Sequence, residues 1–194
     1  ATAEYERMIR EIAFQLYPDY NKPRGTLLSV GTTGTGKTES CKVLALALFG
    51  DKDDFIKISM TDYGDEDGDR RIRQKIGEEV SRKPFNILLL DEVEKAHPDV
   101  FNMLLQILED GVLTDGQGNR VKFNNTIVIL TSNLGSDEMY NDQAFGFSSH
   151  QKTKDQFITE DYEASKNAAM KALKKSMRPE LINRLDAIEV FHAL

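Results

Sequence analysis

The sequence predicts a doubly wound α/β fold, in which a parallel sheet of five strands carries helices on both faces and forms three layers. Apolar runs rich in Ile, Val and Leu recur along the chain, which is typical of strands buried on both faces of a parallel sheet. Segments with helical periodicity separate these runs. The predicted strands are residues 26–30, 55–60, 86–91, 126–131 and 187–191.

Three helical segments are predicted between the strands. Segment 37–49 is largely apolar and follows a glycine-rich loop. Segment 98–110 begins with Pro98, which suits a first helical turn, and Gly111 follows it as a C-cap. Segment 160–176 has acidic residues at its start and lysines near its end, which complement the helix dipole. The apolar side chains of 98–110 form one stripe at helical spacing: Val100, Phe101, Leu104, Leu105 and Leu108.

Three stretches have no strong apolar period. Residues 114–120 are rich in turn formers and are predicted to form the tip of a short hairpin. Residues 133–156 are polar and punctuated by glycine, which predicts a long surface loop. Residues 58–85 carry an acidic run followed by a basic run, and we interpret them as a solvated charged loop that enters a helix.

Composition narrows the class of protein. The chain has 194 residues, enough for one domain, and its net charge of −7 disfavours broad contact with nucleic acid. Its apolar runs are too short to span a bilayer, and its first residues resemble an amphipathic helix rather than a signal peptide. The one cysteine, Cys41, fits a reducing compartment, and we interpret it as a packed residue without a redox role. We therefore expect a cytoplasmic protein without membrane or nucleic-acid partners.

The stretch "GTTGTGKT", residues Gly31–Thr38, has the spacing of a phosphate-binding loop. It follows an apolar strand and opens a helix, so its backbone N–H groups and the helix dipole would both favour a polyphosphate. Lys37 would reach the β- and γ-phosphates, and the Thr38 hydroxyl would ligate Mg²⁺. The alternative is a mobile Gly/Thr turn, which the strand–loop–helix setting disfavours. The three glycines that allow the tight turn are Gly31, Gly34 and Gly36.

Two further strands end in polar residues. Asp91 and Glu92 follow the apolar run "ILLL", where Asp91 would hold Mg²⁺ and Glu92 would act as general base on the attacking water. The alternative is a strand that ends in solvent-facing acids. Asn133 follows the run "VILTS" and would orient that water or contact the γ-phosphate; a simple turn residue is the alternative.

These motifs resemble the second ATPase module of Clp-type AAA+ unfoldases, and most closely the bacterial Clp ATPases that disaggregate proteins or feed a protease. The resemblance covers residues 22–194, and its most specific part is "DEVEKAHPDVFN" followed by "LTDGQGN". It implies that residues 1–194 form the large α/β subdomain of a P-loop NTPase that assembles into a hexameric ring. It also implies ATP and Mg²⁺ as cofactors, protein substrates and a possible Clp-type peptidase partner.

The resemblance also assigns roles to individual residues. Asp91 and Glu92 are the Walker B acids, Asn133 is sensor 1, and Arg184 in "INRLD" is the arginine finger of a neighbouring subunit. Read without the resemblance, Arg184 favours a surface salt bridge. His97 belongs to the signature, and we expect it to cap or pack. The residues predicted to bind nucleotide are Gly31, Thr32, Thr33, Gly34, Thr35, Gly36, Lys37, Thr38 and Glu39, and those predicted to bind Mg²⁺ are Thr38 and Asp91.

The chain departs from the family pattern in four places. Thr32 replaces the usual proline, the apolar motif that flanks adenine is missing from the start, and the helical lid with its sensor 2 arginine is missing from the end. Residues 58–85 are shorter than in the family and lack its aromatic pore loop, which grips substrate polypeptide. Loss of the adenine motif and the lid would weaken nucleotide binding by the chain alone. Because the lid and a neighbouring subunit's arginine finger are missing, we predict that the chain alone is mostly monomeric with little ATPase activity.

Two functions from different classes follow. The leading hypothesis is an ATP-hydrolysing module that couples hydrolysis to the unfolding or disaggregation of proteins. The alternative is a nucleotide-dependent assembly or regulatory module that does not thread substrate, which the unusual 58–85 region motivates. A DNA-remodelling role is the weakest hypothesis, because the chain is acidic.

Overall fold

A computed structural model describes residues 19, 21–134, 166–175 and 177–191. Its strands, in chain order, are β1 (Gly25–Gly31), β2 (Ile56–Ser59), β3 (Asn86–Asp91), β4 (Val112–Thr114), β5 (Arg120–Lys122), β6 (Thr126–Ser132) and β7 (Ala187–Phe191). Five of them form one sheet in the order β2-β3-β6-β1-β7, and every pair in it is parallel. Strands β4 and β5 form a separate antiparallel hairpin.

The helices, in chain order, are α1 (Lys37–Phe49), α2 (Gly68–Arg82), α3 (Pro98–Asp110) and the short α4 (Pro179–Ile182). Residues 166–175 are also helical. Short 3₁₀ turns, Met60–Tyr63 and Val93–Lys95, follow β2 and β3. Among the described residues, no helix is long and apolar enough to cross a membrane.

Alternate residues along each central strand point to opposite faces of the sheet, which builds the three layers. On one face, Leu27, Leu89 and Ile129 pack against α1 through its buried Cys41 and Leu44. The opposite face packs against α2, α3 and the helical stretch 166–175, and it holds the larger core cluster. Burial of each such aliphatic side chain contributes about 1.5–3 kcal/mol, so both faces stabilise the sheet.

The five predicted strands are confirmed, as is the predicted class of fold. β3 and β7 have the predicted bounds, and the other three differ by one or two residues at their ends. Helices 37–49 and 98–110 are also confirmed. Of the predicted helix 160–176, residues 166–175 are helical and the rest lie outside the described residues, as does nearly all of the predicted loop 133–156.

The hairpin and the charged region also agree with expectation. Residues 115–119 form the turn between β4 and β5, where the Asp115 carboxylate accepts hydrogen bonds from the backbone of Gln117 and Asn119. In region 58–85, the short stretch 60–67 follows β2 and leads into α2, which occupies Gly68–Arg82. The stripe of α3 is rotated from the predicted one: Met103 and Ile107 are fully buried, whereas Phe101 and Leu105 are only partly buried.

Candidate active site

The loop between β1 and α1 has a backbone that only glycine fits at two points. A Cβ on Gly31 would lie 2.4 Å from the carbonyl oxygen of Phe191 on the adjacent strand β7. Gly36, the residue before α1, has φ of 92° in the left-handed region that side chains disfavour. The two glycines therefore let the chain leave the sheet edge and turn at once into the start of α1.

Lys37 folds its ammonium group back into this loop. Its Nζ donates to the carbonyl oxygens of Gly31 at 2.5 Å and Thr32 at 2.8 Å, and to Asn133 Oδ1 at 2.9 Å. The residue is only 8% exposed. Burial lowers the pKa of Lys37, and the charges of Asp91, Glu94 and Glu92 oppose that shift. The loop thus surrounds a buried cation whose three hydrogen-bond acceptors are neutral.

Asp91 ends β3 next to the loop, with both of its carboxylate oxygens engaged. The Thr131 hydroxyl donates to Oδ1 at 2.5 Å, and Lys57 Nζ lies 2.8 Å from Oδ2. Burial alone would raise the pKa of Asp91, but the hydrogen bonds from Lys57 and Thr131 and the charges of Lys57 and Lys37 outweigh it and lower the pKa. Asp91 is therefore held as an anion.

Glu92 adopts an unusual backbone conformation. It is the one non-glycine residue with positive φ, 58°, in the part of the chain that the structure describes. Such a conformation costs about 1–2 kcal/mol, and strain of this kind concentrates at functional sites. The Glu92 N–H donates to Thr131 Oγ1 at 3.0 Å, which helps to hold it. The Glu92 side chain contacts Asn133 and Thr61 at the edge of the sheet.

The Glu92 carboxylate is held by two donors from neighbouring elements. Asn133 Nδ2 donates to Oε1 at 2.8 Å, and the Thr61 hydroxyl donates to Oε2 at 3.1 Å. Because Asn133 Oδ1 also accepts from Lys37, one amide joins the ammonium to the carboxylate. Glu94 Oε1 in turn accepts from the backbone N–H of Asn133 at 3.1 Å. This contact helps to fix the residue whose side-chain amide joins Lys37 to Glu92.

The structure thus brings Lys37, Asp91, Glu92 and Asn133 to one edge of the sheet, where β1, β3 and β6 end. Thr38 lies in the first turn of α1, directly after Lys37. A buried ammonium with neutral partners, at a helix N-terminus, fits an anion such as phosphate. Within the described residues, no cluster of three His, Cys, Asp or Glu side chains could hold a metal by itself. The Asp91 carboxylate and the Thr38 hydroxyl instead fit Mg²⁺, which binds through one or two protein oxygens together with substrate phosphates.

Arg184 lies away from this group. Its backbone oxygen accepts from the Thr26 hydroxyl near the start of β1, so it lies at the opposite edge of the sheet. Its guanidinium pairs with Glu109 at the end of α3, and both side chains are partly exposed. This contact is the surface salt bridge that Arg184 favours when it is read without the family.

Three other residues singled out in the sequence have structural partners. Glu39 forms an exposed ion pair with Lys42 on α1. His97 precedes α3, and its Nδ1 accepts from the backbone N–H of Asp99 at 3.3 Å, a capping contact as expected. Cys41 is fully buried, and burial raises the pKa of its thiol to about 12, as expected for a packed residue.

Sequence reasoning missed Lys57, Thr61 and Glu94 as parts of this site. Lys57 and Thr61 lie on β2 and just after it, and they meet Asp91 and Glu92 only because β2 pairs with β3. The strand order was the signal that could have found them, since side chains at the ends of adjacent parallel strands share one edge. Glu94 lies two residues after Glu92, and a polar residue directly after a strand is most simply interpreted as part of a turn.

A family model described as "AAA domain (Cdc48 subfamily)" matches residues 22–188. The chain belongs to this family. This chain is 42% identical over 188 residues to the negative regulator of genetic competence ClpC/MecB of Bacillus subtilis. The alignment covers 91% of this chain and 22% of that protein. It is 43% identical to the chaperone protein ClpB of Vibrio vulnificus, over 91% of this chain and 20% of that protein.

Solved structures give the same fold. The Saccharomyces cerevisiae Hsp104–ADP complex matches with a TM-score of 0.78 at 31% identity, over 98% of this chain and 33% of that one. The closed state of Hsp104 with ATPγS and FITC casein matches with a TM-score of 0.70 at 29% identity, over 98% of this chain and 36% of that one. The fold is therefore that of an AAA+ P-loop NTPase. The chain spans about a fifth of the length of the curated relatives it matches.

Proposed function

We propose that this AAA domain binds ATP with Mg²⁺ and hydrolyses it. The observation that carries the proposal is the chain of contacts from the Lys37 ammonium through the Asn133 amide to the Glu92 carboxylate. In this proposal the ammonium would bind phosphate and the carboxylate would act as the base for water, one on either side of the amide. The proposal covers the roles assigned to the loop Gly31–Thr38 and to Glu39.

Each residue has a distinct task. Lys37 exchanges its carbonyl partners for the β- and γ-phosphate oxygens, which are stronger acceptors because they are charged. Glu92 takes a proton from the attacking water, and Asn133 orients that water or the γ-phosphate. Thr38 and Asp91 hold Mg²⁺, which when bound neutralises the charge that develops on the phosphates. Thr131 orients both Asp91 and Glu92 through one hydroxyl.

We further propose that Arg184 completes the site of a neighbouring subunit. It lies near the start of β1, whereas Lys37 lies beyond its end, and a seven-residue strand separates these edges by roughly 20 Å. Arg184 therefore cannot reach the loop of its own chain. A guanidinium supplied by a second copy would stabilise the charge that builds on the transferred phosphate. This role requires a second copy, and the hexameric ring that the family resemblance implies would supply it.

The relatives named ClpB and ClpC support a specific setting for this ATPase. We propose that it is the large α/β subdomain of the second nucleotide-binding module of a Clp-type unfoldase or disaggregase. It would act in the cytoplasm on protein substrates, and a Clp-type peptidase would be a partner where the protein feeds a protease. The turns after β2 and β3 supply Thr61 and Glu94, which contact Glu92 and Asn133 of the site.

The test is the substitution Glu92→Gln in the full-length protein that carries this module. The amide keeps the size of the side chain, and its oxygen can still accept from Asn133 Nδ2 while its NH2 donates to the Thr61 hydroxyl, but it cannot accept the proton of water. We expect ATP binding to persist, while ATP turnover and the ATP-dependent unfolding of a tagged substrate are lost. Turnover at the wild-type rate in this variant would defeat the mechanism.

A second candidate function is a nucleotide-dependent assembly or regulatory module that does not thread polypeptide. The segment between β2 and α2 favours it, because only residues 60–67 join the two elements and the Tyr63 ring lies under the Arg71 guanidinium, 5.4 Å from its centroid. The same unfolding assay separates the two candidates. ATP turnover without unfolding, in a protein whose Glu92→Gln variant is inactive, would favour the second.

A further inference from the structure

Lys57 is the one basic side chain that contacts the metal-binding acid directly among the described residues. It lies on β2, in register with Leu89 of β3, while Asp91 is in register with Ser59. Residues two apart on a strand share a face, so Lys57 lies one step behind Asp91 along the same face of the sheet. Its long stem reaches forward along that face and brings Nζ to within 2.8 Å of Asp91 Oδ2.

The contact occupies the atom that a metal would use. Oδ1 of Asp91 already accepts from Thr131, a hydroxyl that is completely buried and belongs to the sheet. Oδ2 is the oxygen that remains for a cation, and Lys57 holds it. The Lys57 side chain is 45% exposed against 22% for Asp91, so its ammonium can withdraw into solvent without leaving a buried charge behind.

We propose that Lys57 is a positioning residue that competes with Mg²⁺ for Asp91 and so sets the magnesium concentration at which nucleotide binds. Without metal, its ammonium neutralises Asp91 and keeps the carboxylate aimed at the loop. When Mg²⁺ arrives with nucleotide, Lys57 leaves Oδ2 but stays close enough to repel the divalent ion. This inference rests on the proposed nucleotide site.

An ordinary surface ion pair would behave differently. A pair that only stabilises the fold would change thermal stability when it is removed but would leave the magnesium requirement unchanged. Removal of a competitor would lower the magnesium requirement, because loss of a positive charge a few ångströms from a divalent cation strengthens the binding of that cation. The dependence of nucleotide binding on Mg²⁺ concentration therefore distinguishes the two roles.

The experiment is a Mg²⁺ titration of the 194-residue chain at a fixed concentration of fluorescently labelled ADP, read as fluorescence anisotropy. The substitution Lys57→Met keeps the length of the stem and removes the charge. We expect the Mg²⁺ midpoint to fall by roughly three- to tenfold, since the site is partly exposed and screened. Lys57→Arg keeps the charge and should remain within about twofold of wild type on the same grounds.

Lys52→Met is the matched control, because Lys52 is also exposed and its loss changes the net charge by the same amount. We expect it to leave the midpoint unchanged, and a thermal melt by circular dichroism confirms that each variant is folded. An unchanged or higher midpoint in Lys57→Met would overturn the inference, as would a Lys57→Arg variant that behaves like Lys57→Met. If the wild-type chain alone does not bind labelled ADP, the same titration is made on the full-length protein that carries this module. Failure of that protein to bind labelled ADP at saturating Mg²⁺ would overturn the proposed function, and the inference with it.

Discussion

At the amino edge of the sheet, the Asp186 carboxylate accepts from both the backbone N–H and the hydroxyl of Thr26, each at 2.8 Å. At the carboxyl edge, the Asp91 carboxylate accepts from the Thr131 hydroxyl and pairs with Lys57. Both edges thus contain an aspartate bound to a threonine on a central strand. The partners of Asp186 tie β1 to the segment before β7, whereas those of Asp91 belong to a group that faces the loop.

The same contrast holds for the asparagines. Asn86, at the start of β3, donates to the carbonyl oxygen of Lys83 and to the Thr126 hydroxyl, which joins two strand starts. Asn133, after β6, joins an ammonium to a carboxylate. Residue type therefore does not separate a structural contact from a functional one here. Position does, because among the residues that the structure describes only the carboxyl edge combines a helix N-terminus, a buried cation and residues in left-handed conformations.

The largest expected effect is on ATP binding, and it comes from the substitution Lys37→Met at the carboxyl edge. Loss of the ammonium removes a charge-assisted contact to phosphate, which should weaken ATP binding by about 10- to 100-fold. The thermal melting temperature should stay the same or rise, because the ammonium is buried among neutral acceptors. Isothermal titration calorimetry with ATP and Mg²⁺, together with a thermal melt, measures both. A large loss of stability would mean that Lys37 is structural.

The next largest effect is expected at Asp186 on the amino edge, where a substitution should reduce stability but leave ATP binding unchanged. The substitution Asp186→Ala leaves the Thr26 N–H without its acceptor and leaves the Thr26 hydroxyl with only the Arg184 carbonyl oxygen at 3.3 Å, and Thr26 is only 3% exposed. We expect the free energy of unfolding to fall by about 1–3 kcal/mol. Urea denaturation measures that loss, and the ATP affinity of the folded variant should match wild type. A variant that is as stable as wild type but binds ATP poorly would erase the contrast between the edges.

The fold and the phosphate-binding loop of the site could be predicted from the sequence, for physical reasons. Buried parallel strands are continuous apolar runs, and the phosphate loop has a spacing that few other structures require. Lys57 and Thr61 could not be predicted, because their roles depend on which strand lies beside β3. Arg184 shows the other limit: its salt bridge with Glu109 follows from the single chain, whereas its proposed role needs a second copy.

The smallest expected effect concerns acid stability. The pKa of Asp91 lies below its ordinary value of 3.8 in the folded chain, so its contacts stabilise the fold at pH above that value and are lost as the pH falls through the lowered pKa. We expect Asp91→Asn to reduce the free energy of unfolding at pH 7 by less than about 1.5 kcal/mol. The difference from wild type should shrink below pH 3.8, as measured by urea denaturation across the acid range. If the difference in free energy of unfolding instead grew as the pH fell, the pKa of Asp91 would not be lowered by folding.

The most direct test of the central claim is hydrogen–deuterium exchange of the 194-residue chain with and without ATP and Mg²⁺. The claim is that phosphate binds at the carboxyl edge, between the loop and the ends of β3 and β6. We predict slower exchange in the loop 31–38 and in residues 91–94, with no change at Thr26 or in residues 184–187. Protection at the amino edge, or none in the loop under conditions where ATP binds, would contradict it.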